Sequence, residues 1–198
     1  MIRRALLVAA LGLAVSPVGA ATLFSGNGHY YDFVARNVSW QIALANAAAA
    51  TPMTGFTAHL VTITSAAEDN FVKSLSGAAT YVWAAGTDEA TEGVWKWAAG
   101  PEAGQTFYIR GGPVVGYQHW NPGEPNNNAT ENYLHIKANA GDWNDIYPTF
   151  ASGGYVVEYS PSTVPEPAAW SLMIAGFGLI GAALRRRTLS DQGATACA

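Results

Sequence analysis

The sequence predicts an α+β domain without disulfides, carried between two targeting segments. Three observations support this: two stretches with helix caps and helical apolar spacing, several short runs rich in aromatic and β-branched residues, and a single cysteine, Cys197, in the distal tail. The domain must be held by packing, or by a bound ion, although an exported compartment would permit cross-links.

The elements follow in order. His29-Tyr30-Tyr31-Asp32-Phe33-Val34 alternates as a strand does. Ser39 is placed to cap a helix in which Trp40, Ala43, Leu44 and Ala47 recur at helical spacing, and Thr51-Pro52 ends the alanine run. His59-Leu60-Val61-Thr62-Ile63 reads as extended. Ser65-Ala66-Ala67-Glu68 reads as a capping box opening a second helix, with Phe71, Val72 and Leu75 on its apolar face and Gly77 as its stop. Further strands are expected at Tyr81–Ala85, Val94–Trp97, Tyr133–Ile136 and Tyr155–Tyr159. From Ala98 to Asn132 the chain is rich in Gly, Pro and Asn and reads as one long irregular loop, a length at which loops in compact domains carry function.

The two ends read as addresses. Arg3 and Arg4 precede an apolar run from Ala5 to Val15, and Val18-Gly19-Ala20 offers the small residues of a cleavage site, so residues 1–21 are expected to be a signal peptide. Residues 22–160 form the domain and 161–167 a linker ending in Pro165-Glu166-Pro167. The 17 uncharged residues Ala168–Leu184 then read as a membrane span, followed by Arg185-Arg186-Arg187 in a basic cytoplasmic tail, 185–198. This C-terminal pattern resembles the PEP-CTERM sorting signal of Gram-negative bacteria. That likeness implies an exosortase as processing partner, and a cell-surface or extracellular matrix location associated with exopolysaccharide. The tail runs on from Thr188 to Ala198, further than such signals usually do. Between Ala21 and Val164, five basic and twelve acidic residues leave a net charge near −7. That excludes nucleic acid and anionic lipid headgroups as partners of the domain and suits cations.

Glu124-Pro125-Asn126, Glu131 and Trp143-Asn144-Asp145 gather five oxygen-bearing side chains within 22 residues. Three carboxylates and two carboxamides suit Ca²⁺, a hard cation that takes six to eight oxygen ligands. With no His or Cys among them, they suit zinc and copper poorly. An Asn-rich acidic loop alone is an ordinary solvated turn; the downstream Trp-Asn-Asp points to a cation. His119 has no partner histidine at ligand spacing and reads as a surface or packing residue. Trp83, Trp95, Trp97 and Trp143 read as core and loop anchors, while Trp120, beside the loop, suits either anchoring or stacking on a sugar.

The order of these pieces resembles the C-type lectin domain from about Gly28 to Tyr159. The likeness rests on Leu60-Val61-Thr62-Ile63 with Ser65 and Glu68, Trp83 to Gly86, Glu92-Gly93-Val94-Trp95, Trp120 to Asn127, Trp143-Asn144-Asp145 and Tyr155 to Tyr159. The resemblance implies a fold of two helices, small antiparallel sheets and a long Ca²⁺-binding loop. It also implies a principal Ca²⁺ held by Glu124, Asn126, Glu131, Asn144 and Asp145, with Pro125 in the cis form. Glu124, Asn126, Glu131 and Asn144 would also touch the carbohydrate. The Glu-Pro-Asn triplet marks mannose-type members, which bind mannose, glucose, N-acetylglucosamine or fucose. An auxiliary Ca²⁺ site would use Asp88, Glu92 and Asn127, although Asn127 and Asn132 stand where acids are common. Tyr133 and Val157 stand where the family places disulfide cysteines.

The chemistry of the side chains accounts for the sugar preference. If Ca²⁺ takes one lone pair from each of two vicinal hydroxyls, each hydroxyl keeps a proton to donate and a lone pair to fill. Carboxylates accept the protons and the NH₂ groups of the amides fill the lone pairs. The expected protein is therefore a calcium-dependent lectin and not an enzyme. Glu124, Glu131 and Asp145 as a hydrolase pair is a poor reading, because acids committed to Ca²⁺ stay ionised. The stronger rival is a structural adhesin whose loop is only stiffened by the ion.

Overall fold

The computed structural model of the protein describes residues 21–77, 81–127, 130–137, 142–150 and 152–162. The expected signal peptide core, Pro-Glu-Pro motif and apolar sorting segment lie outside these residues. Among the described residues no helix is long and apolar enough to cross a membrane.

In chain order the elements are β1 (Thr22–Phe24), β2 (His29–Val34), α1 (Trp40–Ala48), β3 (Phe56–Leu60), α2 (Ala66–Leu75), β4 (Tyr81–Thr87), β5 (Val94–Trp97), β6 (Thr106–Ile109), β7 (Tyr133–Lys137), β8 (Trp143–Ile146) and β9 (Gly154–Pro161). The predicted α+β class holds. The small sheets are joined into one connected sheet of nine strands, along the path β1-β2-β9-β4-β5-β6, with β3 on β9 and the β7–β8 hairpin on β4. All pairings are antiparallel except β4 with β9.

Both helices begin where the sequence places them. The Ser39 side chain accepts from the Ile42 amide and that of Ser65 from the Glu68 amide, each satisfying a first-turn donor. Gly77, at φ 56°, terminates α2 in the left-handed conformation that a side chain disfavours. The capping box is only half formed. Glu68 turns away from Ser65 and accepts instead from Thr64, backbone at 2.7 Å and hydroxyl at 3.0 Å. The inward face of α2 also differs from the apolar stripe: its buried residues are Glu68, Asp69 and Val72, while Phe71 and Leu75 are only partly covered.

One correction concerns the long loop. Thr106-Phe107-Tyr108-Ile109, within the stretch read as irregular, forms β6 and pairs with β5. Trp143-Asn144-Asp145, read as a motif, is a strand paired with β7, Asn144 opposite His135 and Asp145 opposite Leu134. The loop sits on an aromatic cluster. Trp97 stacks on Phe107 at 4.2 Å between ring centroids, Trp95 meets Trp120 edge-on at 4.8 Å, and Tyr117 and Trp120 meet Trp143 at 5.7 and 5.8 Å. Trp83, Trp95, Trp97 and Trp143 are all buried, as their anchoring role requires. Tyr133 packs on Trp40 at 4.6 Å and Val157 is buried in β9, so stacking and burial occupy both positions where the resemblance would place cysteines.

Candidate functional site

The site lies where the end of the long loop meets β8. The Glu124–Pro125 peptide is cis. The next two backbone amides, of Asn126 and Asn127, donate to the two carboxylate oxygens of Asp145 at 3.1 and 2.7 Å. Asn127 sits at φ 53°, a conformation that asparagine tolerates better than most residues, and this aims its amide at Asp145. Asp145 is fully buried and Asn144 and Glu131 nearly so.

Of the five expected ligands, Glu124, Asn126 and Asp145 are brought into direct association. The Asn126 NH₂ donates to Glu124 at 2.5 Å. Burial first, then Asp145 beside it, push the Glu124 carboxyl above its ordinary range, and the charge of Glu131 adds to the rise. Asn144 is adjacent to Asp145 and gives its NH₂ to the Asp145 carbonyl. The amide donors of Asn126 and Asn144 are thus both engaged within the protein. Among the described residues, no three or more His, Cys, Asp or Glu side chains are gathered as a metal cage.

Asp88, from the end of β4, lies on a second side of the same region. It is buried, and the Gly93 amide donates to one of its oxygens at 2.9 Å. Its other oxygen and the side-chain oxygen of Asn127 are buried without a hydrogen-bond partner. Burial pushes the Asp88 carboxyl up to about 6, with Glu92 and Asp145 adding repulsion. Glu92 itself is exposed, and the Asn132 carbonyl accepts from the Asp88 amide at 3.3 Å. Crowded acids and oxygen atoms lacking donors are what a hard cation would satisfy, so the oxygen chemistry of these residues suits Ca²⁺.

The cis Glu124–Pro125 bond is the one that the sequence resemblance implied. Residues 46–150, more than half of the chain, match the family described as "Lectin C-type domain". The chain belongs to the C-type lectin family. Residues 163–187 of this lectin match the PEP-CTERM protein-sorting motif, which implies export and cell-surface sorting, with an exosortase as partner.

The lectin chain is 37% identical to halomucin of Haloquadratum walsbyi over 69% of its own length and 2% of that protein. It is 32% identical to hepatic lectin of Gallus gallus over 62% of itself and 51% of the relative. The chain therefore spans about half, or far less, of the curated relatives it matches. Among solved structures it resembles the C-type lectin CEL-I from Cucumaria echinata, with 26% identity and a TM-score of 0.55, covering 68% of this chain and 91% of that one.

One buried group beside the candidate site escaped sequence reasoning. Asp69 of α2 is fully buried and meets Lys73, His119, Trp143 and Tyr117. His119, read as a surface or packing residue, is a partner in this cluster, its Nδ1 lying 2.7 Å from Asp69. The available signal was an acid three residues before Val72, on the stripe that faces inward. Trp120, half-buried and enclosed by Trp95, Phe107, Tyr108 and Trp143, is a loop anchor in this arrangement.

Proposed function

We propose that this C-type lectin binds carbohydrate through Ca²⁺, with mannose-type specificity for mannose, glucose or N-acetylglucosamine, in an exopolysaccharide or cell-surface setting. The observation that carries the reading is the clamp of the Asn126 and Asn127 amides on Asp145 after a cis Glu124–Pro125 bond, which brings the Glu-Pro-Asn and Asn-Asp pieces together. In this reading Glu124, Asn126, Glu131, Asn144 and Asp145 hold the principal ion, and Asp88, Glu92 and Asn127 an auxiliary one. Bound Ca²⁺ would supply coordination positions for two vicinal hydroxyls.

The chain's own residues supply the discrimination. The Asn126–Glu124 bond is a donor and an acceptor satisfying each other at 2.5 Å. A sugar exchanges that bond for two: one hydroxyl proton goes to Glu124 and one hydroxyl lone pair takes the Asn126 NH₂. Glu131 and Asn144 make the complementary pair for the second hydroxyl. Because each new bond replaces one already made to protein or water, the net gain is small, and single-sugar affinity is expected at about millimolar. Several copies on one surface would raise it.

The proposed organisation is a signal peptide at 1–21, the lectin domain at 22–160, a linker at 161–167, a membrane span at 168–184 and a basic tail at 185–198, with no catalytic role. Glycan-array binding with Ca²⁺ and with chelator tests the function. Signal on mannose or N-acetylglucosamine that vanishes with chelator is the expected result. Binding indifferent to chelator sinks the reading. Ca²⁺-dependent stability with no glycan bound would leave the structural adhesin.

A further inference from the structure

Asp69 lies on a helix, yet three of its four partners belong to the segments that build the site. Its Oδ1 accepts from the Trp143 indole at 3.0 Å. Its Oδ2 meets Lys73 at 2.5 Å, His119 Nδ1 at 2.7 Å and the Tyr117 hydroxyl at 3.1 Å. From there a continuous line of backbone bonds reaches the binding loop. The Trp143 amide donates to the His119 carbonyl at 2.7 Å, the Asn121 amide to the Trp143 carbonyl at 2.9 Å, and the Glu124 amide to the Asn121 carbonyl at 2.8 Å. Trp143 is also followed directly by Asn144 and Asp145 in β8.

We propose that Asp69 is a positioning residue for the binding loop, fixing the segment from Tyr117 to Asn121 against β8 so that Glu124 and Asn126 arrive beside Asp145. It touches neither ion nor sugar. The inference rests on the reading that the Glu124–Asp145 cluster is the binding site. A carboxylate is required because both of its oxygens face donors. Asn has the same shape but only one acceptor oxygen, so its NH₂ must face either the Trp143 indole N–H or the Lys73 ammonium, neither of which can accept.

That mismatch makes Asp69→Asn a sharp probe. Hydrogen exchange of the Asn126 and Asn127 amides is measured in the wild type, in Asp69→Asn and in Glu158→Gln, a buried-acid control in β9, alongside Ca²⁺ titration by calorimetry. In Asp69→Asn, protection of Asn126 and Asn127 is expected to fall by about ten-fold more than that of the β9 amides. Ca²⁺ affinity is expected to drop by about ten- to a hundred-fold, the usual scale for losing a group that orients a ligand. In Glu158→Gln both sets of amides should lose protection together.

Loss in Asp69→Asn that is equal at the loop and in β9 would reduce Asp69 to a stability residue and overturn the proposal. So would Ca²⁺ affinity unchanged from that of a binding wild type. If the wild type takes no Ca²⁺, the proposed function fails, while the exchange comparison still decides whether Asp69 positions the loop.

Discussion

Glu158 and Glu68 on one side, and Asp88 and Glu124 on the other, are supplied with partners very differently. Glu158 in β9 meets His29 at 2.6 Å, the Tyr31 hydroxyl at 3.2 Å, and the amide and hydroxyl of Thr62 at 3.0 and 3.1 Å. Glu68 in α2 meets the same Tyr31 hydroxyl at 2.6 Å, Asn27 at 3.1 Å and both donors of Thr64. Near the loop, Asp88 has one donor and an oxygen without any, and Glu124 lies against Asp145. Each carboxylate taken from water needs its lone pairs filled or a cation nearby. Acids of the first group carry their compensation within the chain and tie β2, β9 and α2 together. In the second group the compensation within the chain is incomplete, since one Asp88 oxygen has no donor. Carboxylates thus hold the fold at β2, β9 and α2, and under the proposed function those near the loop would take a cation.

The contrast can be broken most forcefully at Glu158. Removing it in Glu158→Ala strands His29, Tyr31 and Thr62, and a loss of about 3–5 kcal/mol in urea unfolding is expected, equal with and without Ca²⁺. A loss that Ca²⁺ abolishes would erase the distinction. The next effect is one of specificity. Exchanging Glu124→Gln with Asn126→Asp reverses donor and acceptor across Pro125, and glycan-array preference should move from mannose toward galactose; retained mannose preference would refute the hydrogen-bond account.

A smaller effect carries an informative sign. Asp88→Asn keeps the acceptor for Gly93 but removes a buried charge held above its ordinary pKa, so with chelator present the variant should be the more stable in thermal or urea unfolding. With Ca²⁺ present it should be the less stable of the two proteins. A variant destabilised under both conditions would place Asp88 among the structural acids.

The least effect is expected from pH at the other end of the molecule. The hydrogen bond to Glu158, opposed by burial and helped by the Glu158 charge, raises the His29 pKa. The stabilisation is complete below the ordinary histidine value near 6.5 and is lost as pH rises through the higher folded value. The urea midpoint should therefore decline as pH rises above about 6.5, and His29→Gln should flatten that decline.

Much of the fold was legible because its signals are local. Ser39 and Ser65 sit one residue ahead of the helices they cap, and Val94-Trp95-Lys96-Trp97 follows directly on Gly93, a residue that bounds strands. Where the reading failed, the deciding partner was distant or the segment short. Thr22–Phe24 is three residues long, too few to show a period, and it becomes β1 only by pairing with Tyr30 and Tyr31. Thr106–Ile109 has strand-forming residues, but glycines and prolines on both sides masked them, and pairing with β5 settles their state. Glu68 and Asp69 are buried by partners from Asn27 to Trp143, which no helical window contains. The site divides in the same way. Glu-Pro-Asn and Trp-Asn-Asp are contiguous and could be read directly, whereas the link from Asp69 through His119 and Trp143 exists only in the folded chain.

The position of β9 has a mechanical side. Residues Val157 to Tyr159 are bonded to β2 along one edge and to β3 along the other, both antiparallel, and the chain leaves the sheet at Pro161. A pull applied through the segment that follows enters the domain along its most enclosed strand. The hydrogen bonds on both flanks are then strained in shear together rather than peeled one after another, so resistance to traction is concentrated at the end of the domain from which the sorting segment departs.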